Sequence, residues 1–137
     1  MIHPTANIYG ELGDIGEGTK IGAFCDIGSP NIGKNCKIQC HVSIPSGIII
    51  EDDVFVGPGA RFANDRNPQA DEDWDARKMQ TTVRKRASIG MGALIGAGLE
   101  IGENAIIGMG AVVTKNVPAG EVWVGNPAKP LITDIRS

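Results

Sequence analysis

Aromatic residues are scarce. They make up 4% of the 137 positions, too few for a ladder of stacking platforms along a nucleic-acid strand. A basic excess is also missing: thirteen Lys and Arg stand against sixteen Asp and Glu, for a formal net charge of −3. No nucleic-acid partner is expected from that balance. No apolar run approaches the roughly 20 residues of a membrane span. Met1 to Asn7 lacks the basic stretch and apolar segment of a secretory leader, so the expected compartment is the cytoplasm. Cysteine occurs at positions 25, 36 and 40 only, with no C-x-x-C spacing, which reads as three reduced thiols. Histidine occurs only as His3 and His41. No metal site is expected from so few soft ligands.

Glycine, by contrast, is abundant. Nineteen occur, about twice the usual share of roughly 7%, and many follow an Ile or Val directly. From Ile15 the chain reads in sixes. Ile21, Ile27, Ile32 (one residue early), Ile38, Ile44, Ile50, Val56 and Phe62 lead successive units, and after a break so do Val83, Ile89, Ile95, Ile101, Ile107, Val113 and Ala119. The fourth residue after a lead is usually small or apolar, as in Cys25, Cys36, Val42, Ala60, Ala93 and Ala111. A period of six fits neither a helix nor an alternating hairpin strand. It fits a short strand and a tight turn, with the lead aliphatic inward and three units closing a triangular coil. The expected fold is all-β: one parallel β-helix domain over 1–137, of about five coils, with a loop excursion at 65–82 and a short tail at 120–137. Ile38, Val56, Ile89 and Ile107 are expected to share one face.

The repeat resembles the left-handed β-helix of the hexapeptide-repeat acyltransferases, and the resemblance implies that hand. It also implies a homotrimer with sites between subunits. The words around the break are more specific. Val54-Phe55-Val56-Gly57-Pro58, Phe62-Ala63-Asn64-Asp65-Arg66-Asn67-Pro68 and Ala87-Ser88-Ile89-Gly90 resemble N-acetyltransferases that act on amino groups of nucleotide-linked sugars used for surface polysaccharide. In that group the matching Asn lies by the reacting amine, which makes Asn64, with Asp65 beside it, a catalytic candidate. Arg66 and Trp74 are candidates for a substrate-covering loop, because a long irregular excursion in a compact domain is usually functional or disordered. The acidic run Asp71-Glu72-Asp73 reads as solvated surface.

The later words Ile107-Gly108-Met109-Gly110-Ala111-Val112-Val113-Thr114-Lys115 and Val124-Gly125-Asn126-Pro127-Ala128-Lys129 resemble the wider superfamily. There the positions of Met91 and Met109 meet the pantetheine arm of coenzyme A through backbone groups, and those of Thr114, Lys115 and Lys129 lie near its adenine and phosphates. Acetyl-CoA is the implied co-substrate.

The histidine count argues against a γ-class carbonic anhydrase, another user of this fold, which needs three histidines for its metal. It also departs from O-acetyltransferases with a loop histidine as base, since none follows residue 41. A neutral sugar amine needs less help from a base than a hydroxyl. His41 is the remaining base candidate, across a subunit boundary. Two other readings are an O-acetyltransferase on a sugar or other small hydroxyl compound, and a non-catalytic scaffold or metal binder.

Overall fold

The computed structural model describes residues 1–9, 15–73 and 79–132. Among them the chain winds as a parallel β-solenoid with three faces and contains no helix. The first face stacks the strands Lys20–Ile21, Lys37–Ile38, Phe55–Val56, Ser88–Ile89, Ile106–Ile107 and Val122–Val124. The second stacks Asn7–Tyr9, Asp26–Gly28, Ser43–Ile44, Arg61–Phe62, Leu94–Ile95 and Val112–Val113. The third stacks Ile48–Ile50, Thr81–Val83 and Glu100–Ile101, extended by single bridges at Ile15, Ile32 and Val117. Each strand is two or three residues long because the chain must turn a corner again within six.

In-register pairing makes the leads into columns. Ile38, Val56, Ile89 and Ile107 pair in succession on the first face, as the period requires. Ile27 and Ile44 do so on the second, and Ile50, Val83 and Ile101 on the third. These leads are essentially inaccessible, and each full burial of such a side chain contributes roughly 1.5–3 kcal/mol. The intervening strand residues point outward. Small residues such as Ala60, Ala93 and Ala111 fill the inside of the corners.

Three boundaries differ from the sequence expectation. The stack has about six turns, not five, because Ile2 bridges Ile21 and the strand Asn7–Tyr9 pairs with Asp26–Gly28, adding a turn before Ile15. The lead expected at Ala119 falls at Val117, which is buried and bridges Ile101, while Ala119 is exposed in a turn. The corner at 114–116 is shorter than its predecessors, so the phase advances. The excursion ends before Thr81, since Thr81–Val83 is a strand. Thr81 is fully buried, and its Oγ1 accepts hydrogen bonds from the Gly98 (2.9 Å) and Leu99 (3.4 Å) amides. The tail begins with a further rung, Val122–Val124, closed by antiparallel pairing with Lys129–Pro130.

Candidate functional site

The corners position the candidate residues. The corner between the first and second faces carries a backbone ladder: His41 N donates to Ala23 O, Gly59 N to Cys40 O, Gly92 N to Pro58 O and Gly110 N to Met91 O. His41, Met91 and Met109 therefore share one edge of the prism. Met91 and Met109 are 52% and 72% exposed. At Gly59, Gly92 and Gly110 the backbone is left-handed, and no atom stands within 4 Å of where a Cβ would be. The upper part of this corner is thus bare backbone between two exposed thioethers. Lys129 lies above it, where the Ala128 amide donates to Val112 O (2.8 Å).

The corner between the second and third faces holds the other set. Asn64 follows the strand Arg61–Phe62, and its Nδ2 donates to the Ser46 carbonyl one coil below at 3.1 Å. Asp65 accepts the Asn67 amide at 3.0 Å, a local turn that starts the excursion. Arg66 reaches up one coil to the Ala97 carbonyl at 3.4 Å. Thr114 and Lys115 are exposed at the same corner, two coils above Asn64. Trp74 falls outside the described residues.

Between the two edges, the outward side of the second face changes character with height. Low in the stack it is polar, with Asn7, Asp26, Ser43 and Arg61 in successive rows. Higher up it is apolar, with Leu94 and Val112 paired. A shallow cleft of 320 Å³ runs there, lined by Arg61, Leu94, Val112 and Thr114 among others. The third corner is charged instead. Arg84 bridges Glu51 and Glu100 at 3.0 Å each, and Arg86 pairs with Glu103. A cleft of 420 Å³ beside these pairs contains none of the predicted site residues.

The structure therefore sorts the candidates into two groups on opposite edges of one face: His41, Met91 and Met109 on one, Asn64, Asp65, Arg66, Thr114 and Lys115 on the other. Sequence reasoning missed Ser46, whose part is played by a main-chain carbonyl, and Arg61, which the six-residue pattern marks only as an outward strand position. Burial pushes the Cys25 and Cys36 thiols up, and Cys25 donates to the Gln39 carbonyl at 2.9 Å. No group of three or more His, Cys, Asp or Glu that would hold a metal occurs among the described residues. No helix among them is long and apolar enough to cross a membrane.

The family model "Bacterial transferase hexapeptide (six repeats)" matches residues 29–64 and 80–115, on either side of the excursion. With that repeat the solenoid is a left-handed parallel β-helix. Bifunctional protein GlmU of Rubrobacter xylanophilus is 33% identical over 114 residues, which is 82% of this chain and 22% of GlmU. A variant of perosamine N-acetyltransferase from Caulobacter crescentus, solved in complex with CoA and GDP-perosamine, superposes with a TM-score of 0.82 at 26% identity, covering 96% of this chain and 56% of that one. WeeI from Acinetobacter baumannii AYE gives 0.77 at 35% identity, covering 93% and 56%. The chain thus spans just over half the length of these solved structures and under a quarter of GlmU.

Proposed function

The chain belongs to the bacterial transferase hexapeptide family, and we propose that it transfers an acyl group from acyl-CoA, with acetyl-CoA as the donor, to an amino group of a nucleotide-linked sugar. The observation that carries this reading is the carboxamide of Asn64, fixed by Ser46 at the base of the excursion and placed at the corner beyond Arg61, the top of the polar column Asn7, Asp26, Ser43 and Arg61 that climbs the second face. A C. crescentus relative of the same fold binds CoA and GDP-perosamine together, which supports both halves of the pair. Such a product is a building unit for surface polysaccharide, made in the cytoplasm.

The chemistry needs little from the side chains beyond placement. The neutral amine attacks the thioester carbonyl carbon, an N–C bond forms, and the C–S bond breaks. The amine proton passes to the departing thiolate, giving an amide and free CoA thiol. Asn64 orients the amine: its Oδ1 has two lone pairs and accepts from an N–H, while the bond to Ser46 sets the plane of the amide. Asp65 sits beside it, and Arg66 and Trp74 are the side chains proposed to contact the acceptor. Backbone amides at the loop base hold the developing oxyanion, and alignment supplies most of the acceleration. The bare glycine edge beside Met91 and Met109 suits a thin pantetheine arm, and Lys115 and Lys129 offer cations to its phosphates.

One chain carries the two groups on separate edges. A homotrimer that sets the second corner of one copy beside the first corner of the next brings them together. Phe55, Leu94 and Ile106 are exposed apolar side chains on the faces flanking the first corner, the kind of surface such packing covers. Calorimetric titration with acetyl-CoA, beside the mass in solution, tests the donor half. One saturable site per chain in a trimer is expected. A well-folded protein that binds no acetyl-CoA would favour the scaffold reading instead.

A further inference from the structure

Two bulky residues hold a left-handed backbone at the first corner, Phe24 (φ 58°) and His41 (φ 60°). That conformation is uncommon outside glycine, asparagine, aspartate and histidine, and a phenylalanine there is an outlier, although the turns of this solenoid impose it elsewhere too, as at Arg86 (φ 59°). Such outliers gather at functional sites. The coils above use glycine at the same position. The two rings stack, with centroids 5.3 Å apart and planes inclined by 26°, close to the roughly 4.8 Å between successive rungs of the solenoid. Phe24 is 60% exposed, and His41 is exposed beside it. On the next rung, at Gly59, nothing stands where a side chain would project. The stack therefore ends on an open ring face with a bare rung above it.

We propose that Phe24 and His41 form a stacking platform for the nucleobase of the acceptor, the base lying on His41 over Gly59. This rests on the nucleotide-linked acceptor proposed above and gives His41 a binding role in place of the base role expected from the sequence. The order along the coil fits the order of the ligand. Gly59, Arg61 and Asn64 follow one another on one coil: a slot for the base, an exposed guanidinium for the diphosphate, and the amide that orients the amine. The five-residue path from Gly59 to Asn64 spans at most about 17 Å. Directly below Arg61 in register, Ser43 and then Asp26 offer a hydroxyl and a carboxylate to ribose hydroxyls.

The test uses Phe24→Gly and His41→Gly, which suit the left-handed backbone and keep the fold, and His41→Phe, which keeps a ring but no base. Affinities for UDP, dTDP and GDP are measured by calorimetry, and KM and kcat are measured with acetyl-CoA and a matching amino sugar. The glycine variants are expected to weaken nucleotide binding and raise the acceptor KM about tenfold, the size of one base–aromatic stack, with the KM for acetyl-CoA unchanged, and His41→Phe is expected to restore most of the nucleotide affinity that His41→Gly loses. Wild-type nucleotide affinity in Phe24→Gly overturns the platform and leaves the acceptor reading intact. A rise confined to the acetyl-CoA KM assigns the stack to the donor's adenine and overturns it as well. A kcat collapse in His41→Phe restores His41 as a base. A wild-type protein that binds none of the three nucleotides overturns the platform and the acceptor reading together.

Discussion

The side-chain amide of Asn64 is tethered to the main-chain carbonyl of Ser46, 3.1 Å away on the coil below. The Ser46 partner is backbone held in the solenoid, so this bond ties the amide to the fold itself. Asn64→Ala is expected to lower kcat by about 10²-fold at saturating acetyl-CoA, the cost of a misplaced reactant. It should leave the urea midpoint almost unchanged. Steady-state kinetics beside urea unfolding checks both, and an unchanged kcat would remove Asn64 from the reaction.

Two glycines two residues apart should behave oppositely. A Cβ on Gly90 would lie 2.6 Å from the Met109 amide nitrogen, amid backbone that cannot yield. Gly90→Ala is expected to cost about 3 kcal/mol of stability. Gly92 has open space, and asparagine tolerates its left-handed backbone. Gly92→Asn should therefore fold normally and yet raise the KM for acetyl-CoA, because its side chain fills the edge proposed for the pantetheine arm. Urea midpoints and donor KM values for the pair separate architecture from binding.

Lys115 stands exposed at the second corner, above Asn64. Lys115→Ala is expected to raise the acetyl-CoA KM about fivefold at low salt, and by less at 0.5 M salt, where an exposed charge is screened. The comparison substrate is acetyl-pantetheine, which lacks the nucleotide phosphates. Its KM should not respond to the substitution. An equal loss for both substrates would show that Lys115 acts through structure.

The buried thiols set an alkaline limit. Burial raises Cys25 and Cys36 above the ordinary range, while in the unfolded chain they ionise near pH 8.5. Above that pH the unfolded state binds fewer protons than the folded one, so stability falls as pH rises. Below it this contribution is fully present. Urea unfolding at pH 7.5 and 9.5 should show the loss, and the Cys25→Ala/Cys36→Ala variant should show less of it. In the native protein at pH 7.5, thiol labelling should reach Cys40 first, because the other two are buried.

Much of the solenoid was legible because one physical constraint, an aliphatic at each inward position, repeats in every unit. The columns through Ile38, Val56, Ile89 and Ile107 follow from spacing alone. The ends were harder. Ile2 and Ile8 lead a turn whose spacing to Ile15 is irregular, and the short corner after Val113 shifts the next lead from Ala119 to Val117. The candidate site was legible as residues and not as places. That Asn64 and Lys115 share one edge while Met91 and Met109 share another depends on which corner each unit turns. The Phe24–His41 stack joins residues 17 positions apart and becomes visible only once the coil length is known. The contribution of Ser46 could not be read at all, since a backbone carbonyl has no sequence signature.

The most direct measurement offers the protein acetyl-CoA with matched nucleotide-linked sugars that differ only in an amino or a hydroxyl group at the same carbon, and follows the product by mass spectrometry. Acetylation of the amino sugar, with the hydroxyl partner left unmodified and the rate lost in Asn64→Ala, is the expected result. Acetylation of the hydroxyl sugar, or of neither sugar across a panel of nucleotides and amine positions, would contradict the proposed N-acyl transfer.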